Sequence, residues 1–471
     1  MAGIEARSID WVPETERHGR IWHQAPLWFL GNFQYFSIPI GFVGPALGLS
    51  LGWTILAGVL GIVTGTIFMA FHAAQGPTLG LPQMIQSRAQ FGYRGVIVPL
   101  FATAFTYLAF NVADQVLLAE GLNGTFGWNK DVIAIVCCVG AALLAIYGHD
   151  WVHRIFRVLL FISFPLMVIV TGGIIFGAAG GGDASNGEFV WVAFVAQFSA
   201  AAAYNITYAP YVSDYSRYLP KETTNRSIIA SVFFGAAGSA IWLIAIGAWL
   251  ATSLGATDGL VGLMTAGNNV IDGLGDLAAF FSAAALAATM GMNAYGGALT
   301  VLTAIDSVKP IKPTRRARVI TILALAVVWF AIGKSISASA VTTVFTSLTL
   351  MLYLLVPWTA ANLVDFFFVR RGHYAITELF KVDGIYGRWG RRGLIAYGLG
   401  FVCQIPFMVL PDLAGWSYTG FMAKQLDGVD IAWIVGLIVA GGSYWLLTRS
   451  LDVESERRAE MESERELVAV A

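Results

Sequence analysis

The sequence predicts an all-α polytopic membrane protein with about twelve transmembrane helices, and three observations predict it. Of 471 residues, 57% are hydrophobic and only 12% are charged, whereas soluble domains carry roughly 25% charged residues. A soluble chain of this size would be left with much of that apolar excess on its surface. The apolar residues also fall into runs of roughly 17–25, the length that crosses about 30 Å of hydrocarbon as a helix. Finally, the lysines and arginines gather on alternate loops between those runs. The net charge of -1 offers no basic field for nucleic acid. Cys137, Cys138 and Cys403 all lie in apolar stretches and form neither a disulfide framework nor a zinc spacing.

Taken in order, residues 1–25 read as a polar N-terminus. The first apolar run continues well past the length of a signal-peptide core, so it reads as a retained membrane segment. The runs are 26–49, 54–75, 96–122, 132–148, 156–179, 189–212, 227–252, 274–303, 319–333, 339–368, 394–411 and 431–448. Lys130, Lys334 and Lys424 stand on one set of loops, and all the other lysines and arginines stand on the opposite set or at the termini. Basic residues accumulate on the cytoplasmic side, so both termini are expected in the cytoplasm, with the 309–318 loop beside them and the 182–188 loop outside. Residues 449–471, rich in Glu and Arg, read as a solvated cytoplasmic helix or tail.

Two runs carry polar amides beside Gly and Pro. The first contains Gly31-Asn32-Phe33-Gln34-Tyr35-Phe36-Ser37-Ile38-Pro39, and the sixth Tyr204-Asn205-Ile206-Thr207-Tyr208-Ala209-Pro210. Such residues at membrane depth signal interrupted helices whose freed backbone groups face a cavity. The two lie five runs apart, an odd offset that places them at equivalent positions of an inverted repeat. Corresponding breaks in two halves point to a transporter site.

Other motifs lead nowhere. Gly333-Lys334-Ser335 resembles the end of a phosphate-binding loop but lacks its first glycine, and no nucleotide domain surrounds it. His149, Asp150 and His153 fall in a short loop and read as solvated rather than metal-binding. No selectivity-filter sequence and no His/Asp/Glu cluster within the spans supports a channel or a membrane-embedded enzyme.

The string Gly80-Leu81-Pro82-Gln83-Met84-Ile85-Gln86-Ser87-Arg88-Ala89-Gln90-Phe91-Gly92-Tyr93-Arg94-Gly95 resembles a signature of the nucleobase–cation symporter family, in its purine/cytosine permease branch. So does Tyr208-Ala209-Pro210-Tyr211-Val212-Ser213-Asp214-Tyr215-Ser216-Arg217-Tyr218-Leu219-Pro220. The resemblance implies a leucine-transporter-like five-plus-five inverted repeat plus two C-terminal helices. The transporter domain would then run over 26–448, with repeat one at about 26–179, repeat two at about 189–368 and the extra helices at about 394–448. It implies cation-coupled import of a nucleobase, or of another heterocycle such as allantoin, thiamine, a hydantoin or a pyridoxine-like vitamin. A channel or substrate-sensing receptor is the alternative of a different class. No enzyme activity, metal or cofactor is implied beyond a coupling ion. The expected setting is a cytoplasmic (inner) membrane, with the lipid bilayer and a small heterocycle as partners and no obligate protein partner.

In that family an aromatic–heterocycle–aromatic sandwich lies between helices three and six, and amides of helices one, three and eight read its edge. Carried over, Tyr107 and Asn111 share a face of helix three. Tyr204, Asn205 and Tyr208 compete for the helix-six position, while Asn32 and Gln34 serve helix one and Asn293 helix eight. Aromatics supply stacking and amides supply both donors and acceptors without charge. A family-type sodium site would use Gly31 and Gln34 with Ala285, Ala288 and Thr289, although Ala288 lacks the expected hydroxyl. The rival ion is a proton carried by Asp114, an intramembrane carboxylate. The pattern around Thr289 tilts the expectation toward sodium. Asp214 and Arg217 are expected to form a gating or structural ion pair.

Overall fold

The computed structural model describes residues 7–182, 188–311, 314–336, 340–413 and 416–470. Residues 183–187 and 312–313, within the two loops whose sides were anticipated above, lie outside the described residues.

The described residues are helical almost throughout, with one small antiparallel hairpin among them pairing Val409–Leu413 with Trp416–Thr419. Among the described residues, eight helices of at least 18 residues are apolar enough to cross a membrane. The count becomes nine if the bent pair Ala432–Thr448 and Val453–Ala469 is one span. The other apolar runs are the two broken segments, 24–46 and 191–216, and the short helices Arg391–Gln404 and Ala432–Thr448. Large apolar side chains such as Phe101, Phe161, Phe234 and Ile438 face outward, while Asn32, Asn111, Asp114, Asn205 and Asn293 are buried. Apolar outside and polar inside is the arrangement a bilayer selects.

Both breaks form where the sequence reading expects them. The first helix, Gln24–Asn32, stops at Phe33, and the chain resumes as Ser37–Ile40 and Val43–Ala46, each of which contains a proline. The helix Trp191–Ile206 stops and Ala209–Ser216 restarts with Pro210 in its first turn, where a missing N–H costs nothing. Helix 191–206 packs on Leu51–His72, and Gln24–Asn32 packs on Asn225–Ser253. The first contact is backbone to backbone. A Cβ at Gly61 or Gly65 would lie 2.3 Å from the Phe198 or Ala202 carbonyl oxygen. Small residues four apart permit this approach.

Ile97–Phe126 packs on Leu274–Val308, which is buried over 72% of its most apolar window, whereas His149–Ile175 and Arg315–Ser335 are buried over only 22% of theirs. The first pair therefore sits at the centre and the second at the lipid boundary.

One face of the bundle gathers the basic residues. Arg217 donates to the Ser8 carbonyl at 2.7 Å, Arg318 to the Arg7 and Ile146 carbonyls, and Arg88 to Asp306 at 2.7 Å. The tail forms a helix, Val453–Val470, that docks on this face rather than standing free in solvent. Its Glu456 binds Arg370 at 2.7 and 2.9 Å, and its Ser463 accepts from the Thr377 amide. The opposite face carries the Lys334–Asp131 pair and a helix that the sequence reading lacks, Gly259–Val270. Asp258 caps that helix through the Leu260 and Val261 amides and also accepts from the Tyr35 hydroxyl at 2.9 Å, which ties the cap to the first break.

Candidate substrate and ion site

The two breaks are laced together. The Gly31 carbonyl accepts from the Gln34 amide and the Tyr208 hydroxyl, each at 3.3 Å. Gln34 and Ser37 both donate to the Tyr204 hydroxyl, at 3.0 and 2.9 Å. Asn32 donates to Asn205 Oδ1 at 2.8 Å and to the Ala236 carbonyl at 3.0 Å, and Asn205 donates to Thr66 at 2.6 Å. Backbone and side-chain polar groups freed by the breaks are thus satisfied within the protein, as a low-dielectric interior demands. Asn32, Gln34 and Asn205 hold the two breaks to each other.

A second cluster joins helix 97–126 to helix 274–308. Asn293 Nδ2 donates to Asn111 Oδ1 and to Asp114 Oδ2, both at 3.0 Å. Asn111 Nδ2 and Asn293 Oδ1 are buried with no hydrogen-bond partner among the described residues. A donor and an acceptor left unpaired side by side are costly, and a ligand with a mixed polar edge would satisfy both. Asp114 is 1% exposed, and Asn293 is its one donor among the described residues.

A set of aromatic rings links helix 97–126 to the two breaks. Phe110 stacks on Tyr208 with centroids 5.4 Å apart and planes at 22°, and Phe36 stacks on Tyr204 at 5.5 Å and 13°. Phe36 and Phe110 meet edge to face at 5.5 Å, and Tyr211 lies 5.0 Å from Tyr208. Tyr107 sits to one side. Its hydroxyl donates to the Pro210 carbonyl at 3.2 Å, and its ring packs on Tyr211 at 4.3 Å. The ring of helix 97–126 that faces Tyr208 is therefore Phe110, which the sequence reading passed over along with Phe36 and Tyr211. The spacing Tyr204, Tyr208, Tyr211 on one helical stripe was the available signal.

The residues expected around a sodium ion are brought together less closely. Thr289 donates to the Ala285 carbonyl at 3.0 Å within its own helix, and Ala288 presents a buried methyl. The bond that joins the first break to helix 274–308 runs from the Tyr35 amide to the Ser282 carbonyl at 3.3 Å. Asp214 Oδ1 accepts from the Gln83 amide at 2.9 Å, and Arg217 donates to the Ser8 carbonyl and to the hydroxyls of Tyr218 and Tyr295. Gln86 donates to Ser213 at 2.6 Å, so the two long motif strings are in contact and brace the basic face.

Two broken helices hydrogen-bonded to each other at an aromatic, amide-lined centre are the arrangement of a membrane transport protein. The relatives make this particular. The chain belongs to the family of permeases for cytosine/purines, uracil, thiamine and allantoin, whose model matches residues 11–436. It is 35% identical over 454 residues to the putative purine-cytosine permease YxlA of Bacillus subtilis, covering 95% of this chain and 96% of that one. It is 25% identical to the purine-cytosine permease fcyB of Emericella nidulans, over 94% of this chain and 88% of the relative. Its fold is the leucine-transporter-like fold of Mhp1, a nucleobase-cation-symport-1 family transporter solved in a closed conformation with bromovinylhydantoin bound. The TM-score is 0.74 at 17% identity, over 96% of this chain and 98% of Mhp1.

Proposed function

We propose that this permease imports a nucleobase of the cytosine/purine type, or a closely related heterocycle, by cation symport with alternating access. The observation that carries the proposal is the unpaired donor and acceptor of Asn111 and Asn293 beside the Phe110–Tyr208 stack. A nucleobase has two π-faces and a mixed edge, and this site offers complements to both. Phe110 and Tyr208 would hold the ring, and Asn111 and Asn293 would read its edge. The lattice of Asn32, Gln34, Asn205 and Tyr204 would fix the breaks around it, with Tyr107 supporting Tyr211.

For the coupling ion, we favour a proton on Asp114. An intramembrane carboxylate costs at least about 2.5–3.5 kcal/mol when charged and uncompensated, and no Lys, Arg or His pairs with Asp114 among the described residues. The Gly31 carbonyl is occupied by two side-chain donors and Ala288 lacks a hydroxyl, which leaves a sodium site at Thr289 short of oxygens. The basic face, with both termini, would be cytoplasmic in a twelve-span arrangement in the inner membrane, and Asp214 and Arg217 would act in the gate on that side.

Uptake of labelled cytosine and adenine into proteoliposomes, under imposed proton or sodium gradients, tests the proposal. Saturable accumulation driven by an inward proton gradient, and lost in Asp114→Asn, is expected. Equilibration without accumulation under either gradient would overturn symport and favour a channel. Sodium-driven uptake that Thr289→Ala weakens would move the coupling to sodium.

A further inference from the structure

On the basic face, where helix Arg391–Gln404 packs on helix Ala432–Thr448, lies a cavity of about 400 Å³. Its wall includes Gln90, Trp389, Arg391, Arg392, Tyr444 and Glu456. Among the described residues Glu456 is the one carboxylate on that wall, and Arg370 holds both of its oxygens, at 2.7 and 2.9 Å. Arg370 also donates to the buried Asp365, so these three charges form a closed unit. Arg391 and Arg392 stand outside it. No carboxylate meets either one among the described residues, and Arg392 donates to the Ser450 hydroxyl at 3.2 Å. The neighbouring Arg388, by contrast, is held by Asp383 at 2.6 and 2.9 Å. The cavity therefore offers two uncompensated guanidinium groups, which suit an anion.

The surface that continues from the cavity is apolar. Ile395, Leu399 and Val402 are exposed and follow Arg391 at helical spacing, so one stripe of helix 391–404 carries a charge at its end and hydrocarbon along its length. The partner helix likewise exposes Ile438, Trp445 and Leu446. Trp389 and Trp445 stand exposed at the charged end, and Arg449 lies over the Trp445 ring at 4.0 Å. Tryptophan and arginine at the end of an apolar helix mark the headgroup level of a bilayer. A soluble anion makes no use of the apolar stripe. A phospholipid with its phosphate at the cavity lays its acyl chains along it.

We propose that this cavity is a binding site for an anionic glycerophospholipid. Arg391 and Arg392 hold its phosphate, and its acyl chains lie on the stripe of Ile395, Leu399 and Val402. Guanidinium groups match phosphate oxygens with paired N–H donors, and basic pockets between transmembrane helices take the headgroups of such lipids. A zwitterionic lipid fits less well. Its phosphate brings an ammonium or choline group with it, and Arg370 already neutralises the carboxylate on the wall. That added cation meets two arginines and no counter-charge. The site also adjoins the 80–95 string, since the Gly390 amide donates to the Phe91 carbonyl at 2.6 Å and Gln90 forms part of the wall. A lipid bound here braces that contact, and binding to the folded state alone raises its stability.

The test presents the purified full chain, in neutral detergent, with equal amounts of phosphatidylglycerol and phosphatidylcholine of matched chains, and counts the lipid retained by native mass spectrometry. Wild-type protein should retain phosphatidylglycerol over phosphatidylcholine by roughly tenfold or more, and should melt at a higher temperature with it. Arg391→Gln combined with Arg392→Gln should lose the preference. Arg458→Gln combined with Arg465→Gln removes the same charge from exposed positions of the tail helix, on the side away from Glu456 and Ser463, and should keep it. If the first pair does not fold, Arg391→Lys with Arg392→Lys, which keeps the charge but not the paired donors, should still retain less phosphatidylglycerol than wild type. No preference in the wild-type protein, or an equal loss in the two glutamine pairs, overturns the inference. So does undiminished retention in the lysine pair. Inorganic phosphate and glycerol 3-phosphate, at matched ionic strength, should leave the melting temperature unchanged; a rise equal to that with phosphatidylglycerol would make the occupant a soluble anion and overturn the lipid assignment.

Discussion

Replacing Phe110 by leucine or alanine probes the proposed sandwich most directly. In the structure the Phe110 and Tyr208 rings pack on each other, with centroids 5.4 Å apart. A planar heterocycle stacked at about 3.5 Å on each face needs the ring planes about 7 Å apart, roughly twice the spacing of two rings in direct contact, so its entry must part them. Binding therefore exchanges one ring–ring contact, worth about 0.5–1.5 kcal/mol, for stacking worth about 1–3 kcal/mol. A variant without the Phe110 ring loses its stacking on the ligand but is spared the cost of separating the pair. The net loss is about 0.5–1.5 kcal/mol, or roughly a 2- to 10-fold rise in Kd.

Phe110→Leu keeps most of the volume and removes the π-face, so it isolates stacking from cavity formation. Phe110→Ala adds a core void, for which about 3–5 kcal/mol of stability is the usual cost, and its melting curve must be recorded first. Titration of cytosine and adenine into both variants is the assay. The loss should be similar for every planar ring, because stacking does not discriminate among bases. Unchanged affinity in a folded Phe110→Leu, or a loss confined to one heterocycle, would refute the sandwich. A large loss in a folded Tyr107→Leu, with Tyr107→Phe near wild type, would return the stacking role to Tyr107.

Arg88→Ala should destabilise the protein by about 3–5 kcal/mol, because it strands a buried carboxylate; Arg88 is held by Asp306 at 2.7 Å and lies over the Tyr93 ring at 4.1 Å. Thermal unfolding in detergent should place the Arg88→Ala, Asp306→Ala double variant nearer wild type than the Arg88 single. Gly65→Leu should abolish folded expression, since its Cβ would lie 2.3 Å from the Ala202 carbonyl oxygen; a monodisperse, substrate-binding Gly65→Leu would show that helices 51–72 and 191–206 are not in backbone contact. With the three native cysteines removed, an impermeant thiol reagent on intact cells should label Thr265→Cys and spare Thr314→Cys, both of them exposed positions. The opposite pattern, or equal labelling, would refute the assignment of the basic face to the cytoplasm.

Much of this architecture was legible in the residues themselves. Amides beside Gly and Pro at 31–39 and 204–210 marked both breaks, because a helix that loses its ladder in hydrocarbon must satisfy its backbone by other means. The strings 80–95 and 208–220 carried the family, and the structure brings them into contact through Gln83–Asp214 and Gln86–Ser213. Asp114 stood out because a carboxylate at membrane depth is expensive, whereas Asn111 and Asn293 came from the family resemblance. Other features left no such mark. Helix 259–270 is too short to register as a span, and its place is set by Asp258 and Tyr35, residues far apart in sequence. Tyr107 and Phe110 are one turn apart on the same helix. Tyr107 is held aside by the Pro210 carbonyl and by the close approach of Gly296, where a Cβ would lie 2.5 Å from its ring, and this turns Phe110 toward Tyr208. In a soluble helix the apolar stripe announces which face is buried. In lipid both faces are apolar, so the rotation of each helix is settled by close packing and long-range hydrogen bonds that no local pattern encodes.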